Sequence, residues 1–277
     1  MASHFYARLH QSLSTPPVHA FLTTLRFWID QAGARLPGAC ALCGATGSHV
    51  LCSGCRADFF GVRAVRCTCC GLPLASAPAG RPVCGQCLQQ PPAYDATVAA
   101  ADYAAPLDQL VLGLKFGGRL ALAPLFAQQL RTALSDRPLH PHANGHDPDA
   151  CQENHLPDLL VPVPLGRARL QERGFNQSLE IARPLSLALG VPLLPRLLIR
   201  VRDTPAQSLL APLARRQNLL GAFTLAARAS HSVRGRHVGV VDDVMTTGAT
   251  LNEIAATLKR FGATRVTNLV FARTPLP

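Results

Sequence analysis

The segment VGVVDDVMTTGAT, residues 238 to 250, constrains the fold more than any other part of the sequence. Its β-branched run from Val238 to Val241 is typical of a strand that is covered on both faces of a parallel sheet. Asp242 and Asp243 follow where this strand is expected to end, and open α/β sheets bind ligands beyond the carboxyl ends of their strands. The segment therefore predicts a buried strand that leads to a ligand site.

A turn of small and hydroxyl-bearing residues comes next and runs straight into an amphipathic helix. Amides in such a turn, together with the helix dipole, favour a bound phosphate. Thr250 and Glu253 fit a capping box at the start of the helix, and Gly262 is a natural stop. A plain turn with two solvated acids is the alternative, but the complete strand-loop-helix context favours a site. The predicted phosphate loop is Thr246, Thr247, Gly248, Ala249 and Thr250.

This segment resembles the ribose-phosphate signature of the type I phosphoribosyltransferases, which bind 5-phosphoribosyl-1-pyrophosphate (PRPP). The resemblance implies that the loop holds the 5-phosphate. It also implies that Asp242 and Asp243 act in catalysis, by accepting hydrogen bonds from the ribose hydroxyls or by contacting Mg²⁺ indirectly. Mg²⁺ would bridge pyrophosphate and the ribose hydroxyls as a charge clamp.

Eight of the ten cysteines form four Cys-x-x-Cys pairs. Two thiolates at this spacing bind one tetrahedral zinc ion, so four pairs predict two structural zinc sites. Consecutive pairs give the simplest arrangement, although crossed pairing stays open, and Cys69 is expected to be a passive thiol. Disulfides are the alternative, which the lack of an export signal disfavours. The predicted ligands are Cys40, Cys43, Cys52 and Cys55 for one ion, and Cys67, Cys70, Cys84 and Cys87 for the other.

Composition is that of a globular protein, with 48% hydrophobic and 16% charged residues. No apolar run approaches the roughly 20 residues of a membrane span, so we expect a cytoplasmic protein without stable membrane insertion. An amphipathic helix predicted at residues 19 to 32 could touch a membrane, but packing against the protein is favoured. The net charge of +11 suits a polyanionic ligand, either nucleic acid or a pyrophosphate substrate.

The hydrophobic pattern divides the chain into three parts. Residues 1–36 form an N-terminal extension, and residues 37–92 contain so little apolar material that zinc would supply much of their folding free energy. Residues 93–277 alternate strands and helices, which predicts an α/β domain with a parallel sheet flanked by helices. Residues 135–157 lose all periodicity and are expected to be a flexible insertion, with a metal site on their histidines and Cys151 as the alternative.

A proline-restricted loop follows the strand predicted at 158–165. Arg167 and Arg169 in this region could meet pyrophosphate, because guanidinium groups make bidentate contacts with phosphate. Asn176 is expected to cap the next helix, and Pro184 to kink it or end it early. The arginine-rich residues 196–221 could form a mobile cover over the bound anion.

Four motifs in this order resemble the competence protein ComF family, whose members join a zinc-ribbon module to a phosphoribosyltransferase-like domain. The motifs are the zinc knuckles, VPVPLGRARLQERGFNQS, RDTPAQSLLAPLARRQNLLGAF and VVDDVMTTGATL. The resemblance runs from about Pro37 to Arg273 and implies the type I phosphoribosyltransferase fold. It adds Lys115 to the PRPP-binding candidates. The family pattern also extends to Arg173, Gly174, Phe175, Asn176, Gln177, Thr204, Gln207, Arg215 and Asn218.

The resemblance implies two competing functions. In the first, an acceptor displaces pyrophosphate from PRPP bound with Mg²⁺, in a protein linked to natural competence and DNA uptake. In the second, the protein is a non-catalytic accessory factor that binds single-stranded DNA or proteins of the competence machinery. No residue stands out as a base for an acceptor, so the sequence predicts the ligand and leaves the acceptor open.

Overall fold

The computed structural model describes residues 38–61, 64–76, 81–136, 156–202, 221–227 and 229–275. In chain order its elements are β1 (Gly38–Ala39), β2 (Thr46–Gly47), α1 (Ser53–Phe60), α2 (Gly85–Gln89), β3 (Ala96–Asp102), α3 (Leu107–Lys115), α4 (Leu122–Ser135), β4 (Leu159–Pro162), α5 (Arg167–Arg173), α6 (Gln177–Leu189), β5 (Leu198–Arg200), β6 (Phe223–Leu225), a short 3-10 helix (Ser230–Ser232), β7 (His237–Met245), α7 (Ala249–Arg260) and β8 (Arg265–Arg273). No helix in these ranges is long and apolar enough to cross a membrane.

Several predictions fall on residues outside the described ranges. They concern the extension at 1–36 with its amphipathic helix, most of the insertion at 135–157, and most of the arginine-rich cover at 196–221. Four residues of the family pattern also fall there, namely Thr204, Gln207, Arg215 and Asn218. These statements stay predictions.

The centre of the molecule is a parallel sheet in the order β3-β8-β7-β4. Its strands are almost continuously buried, as expected of strands with both faces covered. The predicted α/β architecture of a parallel sheet flanked by helices is therefore confirmed. β4 ends sooner than predicted, because Pro164 lacks the amide donor that would extend its ladder with β7.

Helices cover both faces of the sheet and divide the core into two layers. On one face, which we call the front face, α3, α4 and α6 pack against the sheet, and Phe126 stacks on Phe271 with ring centroids 3.6 Å apart. On the back face, α7 packs through Leu251, Ile254 and Leu258. Each fully buried side chain of this size contributes about 1.5–3 kcal/mol. This packing fixes the loops that leave the carboxyl edge of the sheet.

Strand β7 is longer than the sequence predicts. It continues through Asp242 and Asp243 to Met245 instead of ending before the acids. The cause is the neighbouring strand β8, which supplies parallel partners as far as the pair Met245–Arg273. The two carboxylates therefore lie within the ladder, where the backbone holds them more firmly than a loop would.

The cysteine-rich module packs around the edge strand β3. Cys40, Cys55 and Phe60 belong to the front core, with the Phe60 ring 6.3 Å from that of Phe271. Four other cysteines, described below, belong to the back core. The amide of Thr97 donates to the carbonyl of Thr68 at 3.1 Å. The module thus touches both faces of β3 and covers part of its free edge, which would otherwise be open to pairing with another chain.

Two of the predicted helix starts have different outcomes. The Asn176 cap is confirmed, because its Oδ1 accepts from the amides of Ser178 and Leu179. The capping box of Thr250 and Glu253 is wrong. The cap residue is Gly248, and Glu253 instead accepts from the amide of Gly221 at 2.8 Å.

Two predictions concern helix interiors and ends. Helix α6 continues past Pro184 to Leu189, so the early end allowed for by the sequence is not observed. Helix α7 stops at Arg260, and Gly262 follows with φ of 95°, as expected of a residue that ends a helix.

Candidate functional site

A cavity of about 340 Å³ lies where β4 and β7 end, at the carboxyl edge of the sheet. This is the edge at which open parallel sheets bind ligands. Most of the predicted binding residues line it, and three further polar side chains join them. The predicted set is Lys115, Arg169, Asp242, Asp243, Thr246, Gly248, Ala249 and Thr250, and the additional residues are Tyr103, Gln177 and Arg200.

The loop between β7 and α7 is shaped around Gly248. This glycine has φ of 78°, and a Cβ at its position would lie 2.4 Å from Cε of Met245 and 3.1 Å from the Tyr94 hydroxyl. A larger residue would therefore have to move its neighbours as well as adopt a strained backbone. The loop leads into a helix of 12 residues whose dipole favours an anion at this end.

The hydroxyl-bearing residues of the loop do not all face the cavity. Thr246 and Thr250 line it, whereas Thr247 is exposed and is not among the lining residues. The Thr247 hydroxyl instead accepts a long hydrogen bond of 3.4 Å from the amide of Ala249. Its role in phosphate binding stays a prediction.

The two aspartates have different surroundings although they are adjacent. Asp243 is 2% exposed, and one of its carboxylate oxygens lies 2.8 Å from Nζ of Lys115. Asp242 is half-buried and accepts a hydrogen bond of 2.7 Å from the hydroxyl of Ser178. The structure thus connects Lys115, which the family resemblance suggested, directly to the acid pair.

Burial raises the pKa of Asp242 to about 7, and the neighbouring charge of Asp243 raises it further, against opposing effects of Ser178 and Lys115. A carboxyl with this pKa exchanges its proton near neutral pH. A ligand that brings positive charge to the site therefore favours the ionised form, and an anion placed beside it favours the protonated form.

Arginines approach the cavity from two elements. Arg169 reaches it from α5, and Arg200 reaches it from the end of β5, which pairs antiparallel with β6. Arg167 is exposed at the start of α5 and is not among the lining residues. The structure thus brings one of the two predicted arginines to the cavity, and the role of Arg167 stays a prediction.

Three contributors were not singled out from the sequence. Ser178 ends the RGFNQS motif, but nothing in the motif indicates that its hydroxyl contacts an aspartate 64 residues away. Arg200 fell inside a segment predicted as a general cover, and Tyr103 gave no signal. Arg173 of the family pattern stays at the rim, where it donates to Gln177 and lies 5.3 Å from the centre of the Phe116 ring.

The eight predicted zinc ligands form two separate groups of four thiols. Within each group the sulfur atoms lie within 4.8 Å of one another. The first cluster is Cys40, Cys43, Cys52 and Cys55, and the second cluster is Cys67, Cys70, Cys84 and Cys87. This is the arrangement of consecutive pairs, so the crossed pairing is not observed.

The chemistry of both clusters fits a zinc ion held by four thiolates. The nine described cysteines are all free, and the shortest sulfur-sulfur contacts of 3.7 Å are far longer than a disulfide bond. An amide also donates to a cysteine sulfur in each cluster, Cys52 to Cys40 and Cys84 to Cys67. Such donors stabilise thiolates. Cys69 belongs to neither cluster, as predicted.

Comparison with known proteins finds both halves of this architecture. A family model described as a double zinc ribbon domain matches residues 34–88, and one described as a phosphoribosyl transferase domain matches residues 176–275. Among solved structures, a purine phosphoribosyltransferase from Pyrococcus horikoshii is 18% identical and covers 54% of this chain and 68% of that one. Its TM-score of 0.27 is too low to carry weight in the assignment.

Two relatives share both halves of the chain's plan to differing extents. The DNA utilization protein YhgH of Escherichia coli is 38% identical over 247 residues, which cover 86% of this chain and 98% of the relative. Competence protein F of Haemophilus influenzae is 35% identical over 183 residues, which cover 66% of this chain and 75% of the relative. Because relatives this similar are matched over most of their length, the chain belongs to the competence protein F (ComF) family.

Proposed function

We propose that the cavity binds PRPP, or a closely related ribose phosphate, together with Mg²⁺. The observation that carries the proposal is the meeting of three kinds of group around one cavity of about 340 Å³. The loop at the start of α7 would hold the 5-phosphate. Asp242 and Asp243 would accept hydrogen bonds from the ribose hydroxyls, and Arg169 with Arg200 would face the pyrophosphate.

The reaction we propose is displacement of pyrophosphate from C1 of PRPP by an acceptor that is still to be identified. The bond from C1 to the pyrophosphate oxygen breaks as the bond to the acceptor forms, and the acceptor loses a proton. Positive charge develops on the ribose ring, while the departing pyrophosphate keeps the electron pair. Mg²⁺, when bound with PRPP, supplies further neutralisation of the leaving group. Lys115 would hold Asp243 in place, since the two are already paired.

Binding is tested by calorimetry with PRPP and Mg²⁺ on the zinc-loaded full chain. The test variant combines Asp242→Asn with Asp243→Asn, and the matched control is Asp58→Asn on the exposed surface of α1. We expect binding in the wild type and the control, and at least a tenfold loss in the double variant, which is about 1.4 kcal/mol. Equal affinity in all three proteins would remove the aspartates from the site, and no binding in the wild type would remove the proposal.

Turnover is tested separately, by following pyrophosphate release from PRPP over a panel of nucleobases and amines. Release that depends on the acceptor and disappears in the double variant supports a phosphoribosyltransferase. Tight PRPP binding with no release on any acceptor instead supports a protein that uses the cavity as a ligand sensor.

A second function is favoured by the printed names of the relatives, which refer to competence and DNA utilization. In this version the protein acts in the cytoplasm as an accessory factor in DNA uptake, and its net charge of +11 attracts single-stranded DNA. Binding to a labelled oligonucleotide should then weaken steeply as salt rises, by about 0.7 log unit per log unit of salt for each phosphate contact. Undetectable binding at low salt would exclude this version.

A further inference from the structure

We infer that Arg273 is a positioning residue that couples the second cysteine cluster to the phosphate loop. Zinc held by Cys67, Cys70, Cys84 and Cys87 and a sugar phosphate held by the loop would then stabilise each other. The part of this inference that concerns the sugar phosphate rests on the proposed function of the cavity. The first cluster has no such connection and serves as an internal comparison.

Arg273 is the last residue of β8 and is only 5% exposed. Its Nε donates to the carbonyl of Cys70, inside the second cluster, at 2.9 Å. Its Nη1 donates to the carbonyl of Met245 at 3.2 Å and to that of Thr246, the two residues that open the phosphate loop. One buried guanidinium thus joins a metal knuckle to the backbone of the ligand site.

A buried charge is stable only when its donors are satisfied. Each hydrogen bond listed above ends on a main-chain carbonyl, and a further one runs to the carbonyl of Thr274. A carbonyl can meet the guanidinium only if its peptide group points the correct way. The orientation of the Cys70 peptide therefore influences the position that Arg273 adopts against Met245 and Thr246.

A second contact runs parallel to the first. Tyr94 is 6% exposed and packs in the same core layer as Cys70, Cys87 and Met245. Its hydroxyl lies beside Gly248, as shown by the 3.1 Å separation from a Cβ built there. The inner side of the phosphate loop therefore rests on a side chain that itself packs against the second cluster.

The first cluster is placed differently. Cys40 and Cys55 pack in the front core with Phe60, on the opposite face of the sheet from Tyr94 and Met245. Loss of metal from this cluster should loosen the front of β3 and leave the loop after β7 in place. The two clusters are similar in chemistry and differ in what they support.

Metal-binding knuckles take their shape from the ion that their thiolates hold. When zinc leaves the second cluster, the Cys70 peptide loses its restraint, and Arg273 loses one of the carbonyls that fix it. Coupling between two bound groups is reciprocal, and factors of about 5 to 150 are usual. We therefore expect PRPP to slow zinc loss from the second cluster by about tenfold, and zinc to strengthen PRPP binding by the same factor.

The first arm of the test needs no ligand. Hydrogen exchange of residues 245–250 is compared between the zinc-loaded full chain and the same protein after treatment with a chelator. The variants are Arg273→Met, Arg273→Lys and, as matched control, Arg265→Met at the other end of the same strand. We expect zinc removal to speed exchange of the loop in the wild type and the control. In Arg273→Met the loop should exchange fast even with zinc bound, and Arg273→Lys should be intermediate.

The second arm measures zinc transfer to a chromogenic chelator with and without PRPP and Mg²⁺. We expect PRPP to slow the release of one zinc ion and leave the other unchanged in the wild type. This protection should be absent in Arg273→Met. A residue with a merely structural role would change stability without removing the ligand dependence of zinc release.

The outcomes separate the two proposals. If calorimetry shows no PRPP binding by the wild type, the proposed function fails, and the coupling of cluster to loop is judged by hydrogen exchange alone. If loop exchange in the wild type ignores zinc, the inference is overturned whatever the ligand does. It is also overturned if PRPP binds but zinc release from both clusters is unaffected.

Discussion

At the scale of single residues, the adjacent acids Asp242 and Asp243 show how surroundings divide the roles of two identical groups. Asp243 is buried against Lys115, whereas Asp242 has a serine hydroxyl as its partner and a raised pKa. Only one of the two acids therefore has a cation 2.8 Å away. This asymmetry leaves Asp242 as the group whose charge responds to pH and ligand.

The raised pKa predicts a specific pH dependence of stability. Between its ordinary value of 3.8 and its folded value of about 7, Asp242 holds a proton in the folded state that the unfolded chain has released. Its contribution is therefore complete at low pH and is lost as pH rises through about 7. Asp242→Asn removes this loss, so its free energy of unfolding should gain on the wild type from pH about 5 to pH about 8. Urea unfolding with zinc present measures this, and Asp58→Asn should show no such trend.

Gly248 determines the loop through both its backbone and its missing side chain. In Gly248→Ala, the left-handed backbone should cost about 1–2 kcal/mol of unfolding free energy. The new methyl group would also displace Met245 and Tyr94, so PRPP affinity should fall as well. Gly190→Ala is the matched control, since Gly190 has φ of 67° but open space around its Cβ position. Urea unfolding and calorimetry compare them, and unchanged ligand affinity in Gly248→Ala would contradict this account of the loop.

At the scale of elements, the loops at the carboxyl edge are held by the starts of helices. Asn176 does this for α6, since its Oδ1 caps the helix while its Nδ2 donates to the carbonyl of Val163 at 3.0 Å. Val163 lines the cavity just after β4. The cap therefore connects a helix start to the wall of the site.

This double role separates two substitutions at Asn176. Asn176→Ala should lower the free energy of unfolding by about 0.5–2 kcal/mol, because the cap is lost. Asn176→Ser keeps a capping oxygen and should lose much less stability, but it still removes the bond to Val163. Both variants should bind PRPP more weakly in calorimetry. Full affinity in Asn176→Ser would mean that the Val163 contact does not position the cavity wall.

At the scale of the whole molecule, the cysteine-rich module stabilises the phosphoribosyltransferase-like sheet from its edge. The first cluster packs in the front core and the second in the back core, with β3 between them. Arg66 adds an ion pair of 2.7 Å with Asp102 at the end of β3. The two domains therefore share their hydrophobic cores instead of meeting at a small polar interface.

Removal of zinc should consequently affect the whole protein. Chelation is expected to lower the midpoint of thermal unfolding and to promote aggregation, because the edge of β3 loses its cover. Calorimetric scanning and light scattering measure the two effects, and added zinc should reverse them before aggregation sets in. An unchanged midpoint after verified metal loss would show that the module contributes little to the sheet.

The sequence by itself determined the features that depend on neighbours along the chain. Strand and helix periodicity gave the α/β class, Cys-x-x-Cys spacing gave the zinc ligands, and the run from Val238 to Thr250 indicated a phosphate loop next to two acids. Asn176 was also predictable as a cap, because capping is set within three residues. These signals are local, so no knowledge of packing is needed to detect them.

Only the tertiary structure decided which distant groups meet. Strand β8 extends β7 through the acids, α6 brings Ser178 to Asp242, and β8 places Arg273 between Cys70 and the loop. The failed capping box has the same origin, since Glu253 is taken by an amide 32 residues away. Such pairings depend on which buried donors and acceptors remain to be satisfied once the layers have packed, and that requirement has no signature in the local sequence.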